Sequence, residues 1–140
     1  MSDPALDRYC TYLETLSPER LAHLQDYVSA DVHFRDPFND CKGVDTMRSI
    51  LDHMYQTFGT VGFKVSARSR TGDTAFIAWR FDSAWRGRAI VFDGVSHLTF
   101  NRDEHVTAHI DYWDAASGFY EKLPVIGWPL AALRRRISVG

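Results

Sequence analysis

The sequence predicts an α+β fold with N-terminal helices over one face of a curved, mostly antiparallel sheet. Three observations predict it. Apolar residues recur every three or four positions through most of the chain up to Phe58. Strict alternation of apolar and polar residues takes over from Gly62 to Trp113. Compact turn signals, Thr71-Gly72-Asp73, Arg86-Gly87-Arg88 and Asn101 to Glu104, divide that second half into four long strands joined as hairpins. Helices segregated to one side of such a sheet are the α+β arrangement.

The elements follow in order. Leu6, Tyr9, Leu13 and Leu16 make a helical stripe within residues 5–16, with Tyr12 beside it. Ser17 and Pro18 read as the cap and first position of a second helix carrying Leu21, Leu24 and Val28. Val32 to Pro37 reads as a strand that stops at the proline. Gly43 opens the strongest amphipathic helix, through Val44, Met47, Ile50, Leu51, Met54, Tyr55 and Phe58, and Gly59 and Gly62 close it. The four strands are Gly62 to Ser69, Thr74 to Trp85, Ala89 to Phe100 and His105 to Trp113. In the first, Phe63, Val65 and Ala67 share a face. In the second, Ala75, Ile77, Trp79 and Phe81 oppose Arg80 and Asp82, which are expected on the outer surface. A short helix over Ala115 to Lys122 and a last one over Pro129 to Ile137 are expected after the sheet.

The chain has 140 residues, 45% of them hydrophobic, which fits one domain with a real core. A net charge of −2 gives no general attraction to nucleic acid. Cys10 and Cys41 form no CxxC or metal spacing and read as free thiols of a reducing compartment. The N-terminus has no basic region followed by an apolar core, and no apolar run approaches the ~20 residues of a membrane span. A cytoplasmic protein is the expectation. No GxGxxG, phosphate loop or nucleophile elbow is present, so no cofactor is expected.

The order of elements, with Asp36-Pro37 closing the first strand and Tyr112-Trp113-Asp114 closing the last, resembles the SnoaL-like and ketosteroid-isomerase-like superfamily. The resemblance covers roughly Leu6 to Asp114 and implies a cone-shaped, cystatin-like domain of the nuclear-transport-factor type. Fold alone does not set function. Matching the ketosteroid isomerases implies that Asp36 stands where the proton-shuttling base does and Tyr12 where a first-helix oxyanion donor does. Ser96 takes the place of the second, acidic donor. Matching the limonene-epoxide hydrolases pairs Asp111, before Tyr112, with one member of an Asp-Arg-Asp set. Strand alternation points Arg80 and Asp82 away from the cone, so they do not complete that set.

Matching the Tyr-Trp pair turns His109, Asp111 and Trp113 inward. The cavity then holds Asp36, Tyr12, Ser96, His109 and Asp111, walled by Trp79, Trp113, Met54 and Phe58. A carboxylate in an apolar pocket has its pKa raised, and a neighbouring histidine can relay its proton. The expected function is acid–base catalysis of an isomerisation, cyclisation or hydration on an apolar small molecule, with Asp36 as base and His109 and Asp111 tuning or relaying. Tyr12 and Ser96 donate hydrogen bonds, and Met54, Phe58, Trp79 and Trp113 contact the ligand. The alternative is a non-catalytic ligand-binding or dimerising module, with Asp36 capping its turn and His109 and Asp111 a structural pair. Asp36, His109 and Asp111 lack a recognisable metal motif. Ala108, Ile110, Tyr112 and Val95 make the outer sheet face apolar, which predicts a homodimer through it. Trp128, Leu130, Leu133 and Arg134 to Arg136 could lie on a membrane surface. The expected role is a helix that closes the cone mouth or packs on the sheet, with the arginines suited to its C-terminus.

Overall fold

A computed structural model describes residues 3–114; the expected helices after Asp114 and the arginine-rich segment lie outside the described residues. Helix α1 spans Pro4–Glu14. The Asp3 carboxylate accepts the Leu6 backbone N–H at 3.1 Å, and Pro4 sits in the first turn, where no N–H is required. Leu6, Tyr9, Cys10 and Leu13 are buried against the sheet. Burying a leucine side chain of this kind contributes about 1.5–3 kcal/mol.

The segment after Ser17 forms a 3₁₀ helix, Arg20–Asp26, in place of the expected α-helix. Ser17 Oγ accepts the Arg20 N–H at 3.2 Å. Leu21 and Leu24 are buried at the three-residue spacing a 3₁₀ turn presents on one side. Val28 leaves the helix pattern because the sheet recruits it: the Tyr27 carbonyl accepts the Val106 N–H at 2.9 Å. Strand β1 therefore begins at Val28 and runs to Arg35.

A strand that periodicity did not reveal follows. β2, Asp40–Lys42, pairs antiparallel with β1 through His33–Lys42, Phe34–Cys41 and Arg35–Asp40. Three residues are too few to show alternation. Asp36 to Asn39 thus form the loop of a hairpin. Helix α2 then spans Val44–Phe58. Gly59, at φ 75°, ends it in a conformation glycine adopts freely, and its N–H donates to the Tyr55 carbonyl at 2.7 Å.

β3 (Val61–Thr71), β4 (Thr74–Trp85), β5 (Arg88–Phe100) and β6 (Val106–Tyr112) complete a six-stranded sheet of order β2-β1-β6-β5-β4-β3. Neighbours are antiparallel except β1 and β6, which run parallel. The helices cover its concave face, an α+β cone. β4 alternates as expected: Ala75, Ile77, Trp79 and Phe81 are buried, and Arg80 and Asp82 are exposed.

Alternation fails where the register slips. A bulge between Val65 and Ala67 reverses β3, so Ala67 is exposed rather than in the core, and Arg68 and Arg70 lie opposite Ile77 and Ala75. Acids meet both arginines: Arg68 reaches Asp7 of α1 at 3.1 Å, and Arg70 reaches the α1 cap Asp3 at 3.3 Å and Glu104, in the turn before β6, at 2.7 Å. Beside the bulge, the Val65 N–H donates to the Glu14 carboxylate at 2.8 Å. A second irregularity, between Thr99 and Phe100, puts Val106 in the core.

Candidate active site

The cone encloses a cavity of about 140 Å³ between the sheet, α2 and the C-terminal part of α1. Leu13, Ile50, Met54, Phe58, Phe81 and Phe92 supply much of its apolar wall. Among the described residues no lysine or arginine lines it. The parallel pairing of Arg35 with Ile110 sets the next residues, Asp36 and Asp111, side by side, and both reach the cavity.

Asp36 sits in the hairpin loop as a turn cap. Its Oδ1 accepts the Phe38 N–H at 2.8 Å, the Asn39 N–H at 2.7 Å and the Asn39 side-chain amide at 3.0 Å. Oδ2 receives only the Asn39 amide, at 3.1 Å. The position is largely buried, and desolvation pushes its pKa up from 3.8 to about 6. The turn N–H groups and the Asn39 amide pull it down, and the charge of Asp111 raises it further. Desolvation wins.

Asp111 is held differently. Its Oδ1 accepts the Ser96 hydroxyl and faces His109 Nε2 at 2.8 Å. His109 is 4% exposed, and its Nδ1 lies 2.7 Å from the Tyr9 hydroxyl. Burial raises the Tyr9 pKa well above that of a free phenol, so Tyr9 keeps its proton and donates it to Nδ1. His109 then carries its proton on Nε2 and donates it to Asp111. Ser96, donating to Asp111, accepts the Trp79 indole N–H at 2.8 Å. Every donor in this chain has an acceptor, and both donors to Asp111 fall on one oxygen, leaving Oδ2 for the cavity.

The seat of Trp79 depends on Gly94, which pairs with it across β4 and β5. A Cβ at Gly94 would lie 2.5 Å from the indole ring. Trp113 packs edge-on to Trp79 at 6.0 Å and tilted to Phe92 at 5.2 Å, walling the carboxylate end.

Of the residues expected at the site, Asp36, His109, Asp111, Met54, Phe58, Trp79 and Trp113 line the cavity. Ser96 does not; it is fully buried behind the wall, bonded to Trp79 and Asp111. Tyr12 is a correction. Its hydroxyl donates to the Arg20 carbonyl at 2.8 Å and its ring stacks on Tyr27 at 3.9 Å, away from the cavity. The α1 tyrosine that joins the polar chain is Tyr9, three residues earlier. Tyr9 lay in the apolar stripe and so looked like plain core. Asn39 was also missed; its signal is the Asp-Pro-Phe-Asn spacing of an Asp-capped turn. Among the described residues no group of three His, Cys, Asp or Glu side chains could hold a metal ion.

Residues 10–109 match the SnoaL-like domain model. The chain belongs to that family. Its fold is shared with a ketosteroid-isomerase-like protein from Catenulispora acidiphila solved with trimethylamine (16% identity, TM-score 0.72, 87% of this chain and 94% of that one). TerC, co-crystallised with polyporic acid, is similar at 18% identity and TM-score 0.72, over 86% of this chain and 96% of its own. A Mycobacterium tuberculosis epoxide hydrolase of the limonene-epoxide-hydrolase-like type aligns at 17% identity and TM-score 0.67, over 94% and 91%. No curated protein matches the chain in sequence.

Proposed function

We propose that this SnoaL-like protein is an acid–base enzyme acting on an apolar small molecule held in the cone. The observation that carries this reading is a pair of neighbouring carboxylates, in one apolar cavity, with opposed environments. Such pairs divide acid and base roles between them. Asp111 has one oxygen aligned by His109 and Ser96 and the other without a hydrogen bond among the described residues, which suits a base. Asp36, raised to about 6, keeps about a tenth of its population protonated at pH 7 and about half at pH 6, and suits the acid. The sequence reading had given the base to Asp36 and a tuning role to Asp111. The environments favour the reverse.

Asp111 Oδ2 would take a proton from a carbon next to a carbonyl, or from water attacking an epoxide. Asp36 would protonate the oxygen on which charge develops. Tyr9 and His109 fix the direction of the Asp111 carboxylate. The similarity to TerC and to an epoxide hydrolase supports a cyclic, oxygenated substrate.

Deuterium exchange tests the proposal. Enolisable bicyclic ketones incubated with the protein in D₂O should exchange their α-protons, followed by ¹H NMR. Asp111→Asn and Asp36→Asn should each slow this by about 10²–10⁴-fold. Since the acid form of Asp36 is the active one, kcat/KM should fall as pH rises through about 6. Ligand binding without exchange or epoxide opening would establish instead a binding module. The hydrogen bonds that Asp36 accepts within its own turn favour that second reading.

Assembly as a homodimer through the outer sheet face belongs to the same proposal. Phe76, Val95 and Tyr112 are exposed there, at 48%, 40% and 55%. No described helix is long and apolar enough to cross a membrane, and a cytoplasmic setting fits two free thiols.

A further inference from the structure

The carboxylate end of the cavity has an aromatic corner built around it. In the β1–β2 loop Asp36 is followed, two positions on, by Phe38, and along β6 Asp111 is followed in the same way by Trp113. All four side chains line the cavity. Phe38 lies 6.0 Å from Trp113 at 58° and Trp79 lies 6.0 Å from it at 69°, with Phe92 at 5.2 Å. Rings inclined in this way enclose a corner, which a parallel stack would not.

Asp111 brings charge to that corner. Its Oδ1 takes the Ser96 and His109 donors, and its Oδ2 has no hydrogen bond among the described residues. The side chain is 14% exposed, so bulk water does little to dilute its field. With Asp36 protonated, as the proposed acid requires, the pair carries one negative charge, on Asp111. With Asp36 ionised it carries two. In either state no described lining residue holds a permanent positive charge to match it.

A carboxylate among aromatic rings is the composition that holds an ammonium ion. The ring faces are negative, and they attract a cation more strongly when water is excluded. A primary ammonium has several N–H donors to satisfy, and leaving one unmet in an apolar site is costly. A tertiary ammonium has a single N–H, which Oδ2 accepts, and its methyl groups lie against the rings.

We propose that the carboxylate end of the cavity is an ammonium site: it takes an apolar amine whose protonated tertiary head lies on Asp111 Oδ2 among Phe38, Phe92 and Trp113, with its body in the apolar remainder of the cavity. The proposal rests on the cavity being the ligand site, as above, and adds a ligand class which that reading does not contain. Bound in this way, the amine covers the proposed base and competes with the substrate.

Three benzyl compounds of nearly one shape test it by ¹⁵N–¹H NMR titration at neutral pH. N,N-dimethylbenzylamine is cationic, isobutylbenzene is its uncharged counterpart and phenylacetate is anionic. The amine should bind about tenfold more tightly than isobutylbenzene, and phenylacetate more weakly than either. Asp111→Asn keeps the side chain's size and an acceptor for Ser96 and His109. It should lower the ratio of amine to isobutylbenzene affinity by about tenfold, while isobutylbenzene itself changes less than about twofold. Trp113→Leu should lower that ratio by about threefold. Asp82→Asn, at an exposed acid of the outer sheet face, should leave it unchanged. Equal affinities for the amine and isobutylbenzene, a preference for phenylacetate, a ratio unmoved by Asp111→Asn, or failure of all three to bind would overturn the proposal. Deuterium exchange decides the catalytic reading separately. Where exchange occurs, the amine should raise KM for the ketone and leave kcat unchanged, and an unchanged KM would overturn the ammonium site. Ammonium-selective binding without exchange would uphold the site and refute the catalytic proposal, and exchange without ammonium selectivity would do the reverse.

Discussion

Replacing Asp36 with asparagine should make the protein less dependent on pH for its stability, and the size of the effect follows from the site. In the folded chain the carboxyl titrates at about 6, against 3.8 for an ordinary aspartate. Between those values the native state holds a proton that the unfolded chain has released. Stability from this group is therefore full below about pH 4 and is lost as pH rises through 6. At ~1.36 kcal/mol for each tenfold change in acidity, the loss is about 3 kcal/mol. Asparagine does not ionise, so it escapes that loss. It gives up some of the turn bonds, but that cost does not vary with pH. Urea unfolding of wild type and Asp36→Asn at half-unit steps from pH 4 to pH 8 isolates the effect. The stability of the variant minus that of wild type should rise by about 2–3 kcal/mol across the window and level off above pH 7. A flat difference would mean that the four hydrogen bonds to the carboxylate cancel its desolvation. A difference that falls with pH would mean that they exceed it, and Asp36 would then be a turn cap whose charge is stabilising. Either result would remove the acid from the proposed mechanism.

Three further outcomes follow from the same geometry. Gly94→Ala drives a methyl group into the Trp79 indole and should cost about 1–3 kcal/mol in thermal or urea unfolding, with the Trp79 fluorescence environment altered. Tyr9→Phe strips His109 Nδ1 of its donor in a buried site and should destabilise by about 1–3 kcal/mol. It should also slow proton exchange more than Tyr12→Phe, which loses only a bond to the Arg20 carbonyl. Val95→Glu with Tyr112→Glu puts charge on the outer sheet face. Sedimentation velocity should report a dimer for the parent chain and a monomer for the double variant, and the same sedimentation for both would refute that interface.

The sequence by itself determined the order of helix and sheet, the inward face of β4 and the common face of His109, Asp111 and Trp113, which the family resemblance turned inward. These are local facts. Period and parity are properties of consecutive residues, and Trp79 and Phe81 must face the core wherever the strand goes. Tertiary structure decided what parity could not carry through a register slip. The bulge in β3 sent Ala67 outward and brought Arg68 and Arg70 under α1, because an extra residue reverses every side chain beyond it. Val28 was claimed by β6 and Tyr12 by the Arg20 carbonyl, partners that no local pattern names. The site shows the same division. Asp36 was visible as a carboxylate before a proline, and both its possible roles were legible there. It is a turn cap and a perturbed acid at once, because the loop supplies its hydrogen bonds while parallel pairing of β1 with β6 buries it beside Asp111. Tyr9 joined His109 across 100 positions of sequence, a contact only the packing of α1 on the sheet could make.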